Sequence, residues 1–372
     1  MAPHRFLAVL GLPVLFLGVA AADDVRLNQI QVVGSHNSYH IEPAPGVLEV
    51  IARANVRGAE NLQYTHPPLA EQFQSRKIRQ IELDVFADPE GGLFADPPIR
   101  KLALLTGKDA GPEADPDGRL RKPGIKVLHV PGVDYRTTAP TLVDALQQVR
   151  AWSQANPRHV PLMILVELKT PETARITGKA VPFDAERLAA LEAEILSVFP
   201  REEILTPDDV RGESASLPDA IHTRGWPKLD AVRGRVMFAL DNTGAERETY
   251  LQGHPALAGR LMFASVDEKN PAAAWFKMND PIKDFEAIQR LVKAGFMVRT
   301  RADADTRQAR DGSTTMRDKA LASGAQFVST DYPVPDSRLT DYHVALPGGV
   351  VAHSNPISGD RAWDGRDLEK QD

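Results

Sequence analysis

Short apolar segments with a two-residue period alternate with helical segments along almost the whole chain, and this alternation restricts the fold more than any other feature. Eight segments read as strands: Ile30–Ser35, Arg79–Phe86, Lys126–Val130, Leu162–Lys169, Arg235–Asp241, Leu261–Ser265, Phe296–Arg301 and Gln326–Asp331. Helical spacing fills most of the intervals, as in Thr141–Gln154, Ala185–Val198, Phe285–Ala294 and Met316–Ser323. Pro140 precedes the first of these helices, and Asp184 is placed to cap the second. Strand–helix alternation implies a parallel sheet with helices outside it. Eight strands spread over about 300 residues predict an α/β fold, a (β/α)8 TIM barrel in a single domain. The barrel is expected over residues 23–340, with a polar C-terminal tail over 341–372.

Two segments stand outside the alternation. Residues 1–22 read as a secretory signal peptide: Arg5 precedes an apolar run from Phe6 to Ala20, and Ala20-Ala21-Ala22 supplies a small-residue cleavage site. The run is shorter than the roughly 20 residues that span a bilayer, so export to the periplasm or the medium is expected rather than a retained anchor. Residues 88–123 are rich in Asp, Pro and Gly and read as an irregular insertion at the barrel rim, a candidate lid. Composition narrows the chemistry further. With no cysteine among 372 residues, disulfides, thiolate metal sites and thiol nucleophiles are excluded. A net charge of −6 argues against a nucleic-acid partner.

The polar positions of the strands carry the functional signal. In a strand, residues i and i+2 share a face. Glu82 and Asp84 therefore share one face of the second strand and Glu167 and Lys169 one face of the fourth; His129 opposes Leu128 and Val130, and Arg299 and Arg301 share a face near the end of the seventh. A strand covered by helices has no solvated face, so such side chains must point into the barrel mouth, where charges need partners or a metal. They lie toward the C-terminal strand ends, the face that carries active sites in this architecture. Asn37, Glu82, Asp84 and Glu167 form an all-oxygen donor set, which suits Ca2+ or Mg2+ rather than zinc. His36 and His129 remain for proton transfer and charge stabilisation, and Lys169 for a phosphate oxygen. Asp241 and Asp331 also end strands and read as caps of the turns that follow.

With these residues in place, the sequence resembles the bacterial Ca2+-dependent phosphatidylinositol-specific phospholipases C, of the wider barrel superfamily of phospholipase-C-like phosphodiesterases. The matching stretches are Val33-Gly34-Ser35-His36-Asn37-Ser38-Tyr39, Ile81-Glu82-Leu83-Asp84, Val127-Leu128-His129 and Val166-Glu167-Leu168-Lys169. Later ones are Arg224-Gly225-Trp226-Pro227, Val298-Arg299-Thr300-Arg301-Ala302-Asp303 and Phe327-Val328-Ser329-Thr330-Asp331-Tyr332-Pro333. The resemblance implies cleavage of phosphatidylinositol through attack of the inositol 2-hydroxyl on phosphorus, releasing diacylglycerol and an inositol (1,2-cyclic) phosphate. It implies Ca2+ on Asn37, Glu82, Asp84 and Glu167, with Glu82 and Glu167 both open as the base. His36 would stabilise the phosphorane, His129 would protonate the departing oxygen, and Lys169, Arg299 and Arg301 would bind substrate.

A transient membrane surface is the expected partner besides the lipid, and a monomer is favoured. The nearest rival is a metal-dependent glycerophosphodiester phosphodiesterase of the same superfamily, which typically opens with His-Arg-Gly where this chain has Gly34-Ser35-His36-Asn37-Ser38. A non-catalytic inositol- or phosphate-binding barrel is the other, and it predicts the loss of a histidine or carboxylate that this chain retains.

Overall fold

The computed structural model describes residues 25–170 and 180–370; the expected signal peptide lies outside the described residues. Ten strands run in chain order: β1 Ile30–Ser35, β2 Gln80–Phe86, β3 Lys126–Val127, β4 Leu162–Leu168, β5 Val236–Leu240, β6 Met262–Ala264, β7 Trp275–Lys277, β8 Met297–Arg301, β9 Phe327–Thr330 and β10 Ala352–Ser354. Eight of them pair in parallel in the order β6-β5-β4-β2-β1-β9-β8-β7. No ladder joins β6 to β7 among the described residues; the Lys277 amide instead donates to Ser265 Oγ at 3.1 Å. The result is the expected barrel, nearly closed.

One member of the barrel differs from expectation. Lys126–Val130 supplies only the two-residue β3, antiparallel to the end of β2 and outside the parallel set. The eighth place belongs to Trp275–Lys277, preceded by buried Ala272, Ala273 and Ala274. Three residues without a polar alternation carry no readable period, whereas His129 between two apolar neighbours imitates one.

Helices cover the outside as the spacing predicts: Leu142–Ala155, Ala185–Val198, Phe285–Lys293 and Thr315–Ala322 each fall within a residue of their expected ends. Asp184 caps the second, accepting from the Arg187 amide at 3.0 Å. Ile81, Leu83 and Val85 of β2 are fully buried in the apolar core. The barrel interior holds a polar stack: Arg299 Nε donates to Ser329 Oγ at 2.6 Å, and Ser329 Oγ donates to Gln80 Oε1 at 2.8 Å. Gly34 faces Gln80 across β1 and β2, and a Cβ there would lie 2.0 Å from Gln80 Oε1. Only glycine leaves room for that stack.

Residues 88–123 close into a loop with a pinched neck. The Gly124 amide donates to the Asp88 carbonyl at 2.9 Å. The buried Lys126 ammonium donates to the Lys122 and Gly124 carbonyls at 2.7 and 2.8 Å and lies 3.4 Å from the Asp88 carboxylate. Phe94, Ala95 and Leu120 pack there with Phe86 and Leu128 in a small core of their own. Residues 341–370 are likewise integrated. The strand β10 pairs antiparallel with β1, and the Glu369 carboxylate pairs with the guanidinium of buried Arg79.

His159, next to this lower end, makes a pH prediction. Its Nδ1 donates to the Val160 carbonyl at 2.7 Å, which leaves Nε2 to accept from Ser153 Oγ at 2.7 Å. Burial pushes the imidazole down to about 4. The folded state thus excludes a proton that the unfolded chain takes up below about 6.5. Stability from this site is complete above pH 6.5 and falls by ~3 kcal/mol as the pH drops toward 4. Thermal melts from pH 7 to 4.5 will show the midpoint falling, and His159→Asn will flatten that slope.

Candidate active site

Strand register assembles the site. Asp84 of β2 lies opposite Glu167 of β4, so the two carboxylates sit side by side at the C-terminal end of the sheet. On the other flank Ser35 of β1 pairs with Thr330 of β9, and the next residues, His36 and Asp331, emerge together. His36 Nδ1 is 2.8 Å from Asp331 Oδ1; an ionised carboxylate only accepts, so Nδ1 donates and Nε2 is left facing Glu82 Oε1 at 3.6 Å. Burial works to raise Asp331, but His36 and Arg301 outweigh it and hold the carboxyl well below the ordinary range.

Asn37 turns the chain at the end of β1 with a φ of 43°, a left-handed conformation that asparagine tolerates better than most residues. Ser38 then fastens the turn to β2, its amide donating to the Glu82 carbonyl at 3.0 Å and its Oγ accepting from the Glu82 amide at 2.9 Å. Asn37 Nδ2 donates to the buried Tyr64 hydroxyl at 3.1 Å.

His129 arrives by a different route. From β3 the chain continues along β2, the Leu128 amide donating to the Asp84 carbonyl at 3.2 Å. It then reverses, with the Asp134 amide donating to the Val130 carbonyl at 2.7 Å. This return places Asp134 Oδ2 2.7 Å from His129 Nδ1 and 2.8 Å from Nε2 of the buried His40. Burial would raise Asp134, but His40 and then His129 override it and hold the carboxyl down at about 2. His129 itself remains a quarter exposed, and its Nε2 has no partner among the described residues.

The acidic cluster begins beside His36. Oxygen atoms of Glu82, Asp84 and Glu167 come within 4.8 Å of one another. Lys169 bridges two of them, its ammonium 2.7 Å from Asp84 and 2.9 Å from Glu167. Arg299 donates to Glu82 Oε2 at 2.5 Å and to Asn279 Oδ1 at 2.6 Å. Burial would raise Glu82, but Arg299 and His36 hold it below its ordinary value; Asp84 goes the other way, pushed well up by burial despite Lys169. Two buried acceptors, Asn37 Oδ1 and Asp84 Oδ1, have no hydrogen-bond partner. An unsatisfied Asp84 oxygen beside the Glu82 and Glu167 carboxylates is the donor chemistry of a hard divalent cation. The residues present therefore fit Ca2+.

The family description "Phosphoinositide phospholipase C, Ca2+-dependent" matches residues 25–356. The chain belongs to that family. It is accordingly a Ca2+-dependent phosphoinositide phospholipase C. Among solved structures, it is similar to the calcium-dependent phosphoinositol-specific phospholipase C of a Pseudomonas species, at 13% identity and a TM-score of 0.54, covering 90% of this chain and 97% of that one. It is also similar to the Ca2+-dependent enzyme of Streptomyces antibioticus, at 15% identity and a TM-score of 0.52, covering 83% and 95%. At such identities the likeness speaks for the fold. No curated protein matches the chain.

All nine residues singled out in the phospholipase sequence (His36, Asn37, Glu82, Asp84, His129, Glu167, Lys169, Arg299 and Arg301) converge on this mouth. Arg301 lies 3.5 Å from Asp331 and 3.4 Å from His36 Nδ1. Sequence reasoning missed their partners. Asp331 and Asp241 do not serve merely as turn caps: the first holds His36 and the second pairs with Lys277 at 2.5 Å. Lys277 and Asn279 escaped because β7 was unread. Asp134 lies five residues past His129 across Pro131-Gly132, and that turn-forming pair was the available signal.

Proposed function

We propose that the mouth cleaves phosphatidylinositol in two acid–base steps divided between the two histidines. The observation that carries this reading is their pairing: each has Nδ1 fixed by a buried carboxylate, Asp331 or Asp134, and strand β2, which carries the acidic cluster, is bonded to the segments bearing both histidines. Asn37, Glu82, Asp84 and Glu167 would hold Ca2+, which when bound neutralises phosphate charge and lowers the pKa of a nearby hydroxyl.

In the first step the inositol 2-hydroxyl gives its proton to a carboxylate of the cluster and its oxygen attacks phosphorus. Glu167, a quarter exposed and tied only to Lys169 among the described residues, is the freer base; Glu82 is committed to Arg299. His36, held by Asp331, stabilises the charge that builds on the equatorial oxygens. His129 gives its Nε2 proton to the departing diacylglycerol oxygen, and the P–O bond to that oxygen breaks. The second step reverses the exchange: His129 takes a proton from water, the water oxygen attacks phosphorus, the bond from phosphorus to the inositol 2-oxygen breaks, and that oxygen takes back the proton held by the carboxylate. Lys169 and Arg301 supply positive charge along the path. The leader at residues 1–22 supports an exported enzyme that meets its lipid at a membrane surface.

Phosphorus NMR of the mature chain with phosphatidylinositol micelles tests this reading. Inositol 1,2-cyclic phosphate is expected with Ca2+ and is expected to vanish on chelation. Turnover of glycerophosphoinositol to glycerol phosphate, with no cyclic product, would replace the proposal by a glycerophosphodiester phosphodiesterase.

A further inference from the structure

We propose that the outer face of the helix Pro98–Leu105, within the 88–123 loop, docks on a lipid bilayer bearing anionic headgroups. The proposal rests on the function above, because it supplies the surface from which that site would draw its lipid.

This helix is apolar on two sides. Ile99 and Ala103 face inward, packing with Val47, Val50 and Ile51 of the neighbouring helix Pro45–Ala54 and with Ala44 just before it. On the opposite arc Leu102, Leu104 and Leu105 are 46, 53 and 85% exposed. At 100° per residue they span less than half a turn, with exposed Lys101 between Leu104 and Leu105. Folding has already covered the inner face, so three exposed leucines on a short helix call for a separate occupant.

Charge selects that occupant. Exposed Arg53, Arg57 and Lys101 have no carboxylate within ion-pairing distance among the described residues, and Val56 beside them is 63% exposed. Nearby Glu49 and Asp96 are already matched by Lys108 and Arg121, Glu60 closes the far end of the Val56–Glu60 helix, and Glu113 and Asp115 line a cleft with Lys101 and Arg100 on the side of Asp96. Unpaired cations around leucines, in a chain of net charge −6, suit lipid phosphates above acyl chains. A lysine in the middle of the arc can extend to the headgroups, whereas the centres of protein interfaces are depleted in lysine.

The helix is fixed relative to the mouth. The Ile99 amide donates to the Gly132 carbonyl at 3.2 Å, and Tyr135 Oη donates to the Ala110 carbonyl at 3.1 Å. Gly132 lies within the turn that holds Asp134 against His129, and Tyr135 directly follows it.

The test is sedimentation of the mature chain with sucrose-loaded phosphatidylcholine vesicles, with and without phosphatidylglycerol, in chelator and without phosphatidylinositol. The wild type is expected to partition onto the anionic vesicles. Leu102→Gln/Leu104→Gln/Leu105→Gln should reduce partitioning roughly tenfold or more. Arg53→Gln/Arg57→Gln/Lys101→Gln should remove the preference for phosphatidylglycerol. Both variants should open soluble inositol 1,2-cyclic phosphate within about twofold of the wild-type rate, since neither touches the mouth. If the leucine variant loses its melting transition, Leu105→Gln alone carries the test. Unchanged partitioning of the leucine variant, absence of wild-type binding, or a wild-type dimer that the leucine variant makes monomeric would each overturn the proposal. A wild type that binds vesicles but cleaves neither the lipid nor the cyclic ester would overturn the functional reading and leave the docking surface standing.

Discussion

Replacing His129 with Gln lowers kcat for phosphatidylinositol by roughly 10²–10⁴, the range typical of a lost general acid. The loss depends on the leaving group. Diacylglycerol departs as an alkoxide unless it is protonated, whereas a nitrophenolate needs no proton. An inositol nitrophenyl phosphodiester should therefore be cleaved by His129→Gln within about tenfold of the wild-type rate. His36→Gln should impair both substrates alike, because it acts on phosphate oxygens present in each. Steady-state kinetics on the two substrates separate the roles. Equal loss on both substrates in His129→Gln would remove the general-acid assignment.

Asp134 extends the argument. It touches no substrate atom in the proposed path and acts by holding His129 Nδ1 at 2.7 Å. Asp134→Asn keeps the shape but can present an amide N–H to the imidazole, favouring the wrong tautomer. The second histidine on the same carboxylate, His40, is wholly buried; its Nδ1 lies 3.0 Å from the Tyr64 carbonyl and its ring stacks on Tyr64 at 4.1 Å. That anchoring explains why the turn through Val130 and Asp134 presents His129 in a fixed orientation.

The parts of the molecule that were legible from sequence obey local rules. Gln80, Glu82 and Asp84 alternate with fully buried Ile81, Leu83 and Val85, so their shared inward face follows from strand geometry alone. Register does the rest: once β2 and β4 pair in parallel, Asp84 and Glu167 must be neighbours. What stayed hidden depends on contacts between distant segments. Asp331 meets His36 from 295 residues away, and Asp134 is recognisable as an orienting group only after its turn has folded back. Strand β7 was hidden for another reason: in three residues, Trp275 to Lys277, burial on both faces erases the period. With it went Lys277 and Asn279, which partner Asp241 and Arg299 in the mouth.

Glu82 and Glu167 occupy the same cluster but differ in what lies behind them, and paired substitutions will show the difference. Glu82 is 4% exposed and faces Arg299, which is 1% exposed. Glu82→Gln leaves that guanidinium with Ser329 and Asn279 but without its ion-pair partner. Removing one partner of a buried ion pair costs about 3 kcal/mol, so this variant should lose both turnover and several degrees of melting temperature. Glu167 is 25% exposed and shares Lys169 with Asp84, so its ammonium keeps a carboxylate at 2.7 Å after Glu167→Gln. That variant should lose turnover while melting close to wild type in chelator. Added Ca2+ tests the donor set independently of activity: a ligand bound only by the folded state raises the melting temperature with concentration. The wild type should show that rise, and both variants should need more Ca2+ to reach it. An unchanged Ca2+ response in Glu167→Gln would remove Glu167 from the donor set, and unchanged stability in Glu82→Gln would mean that Arg299 does not depend on it for charge.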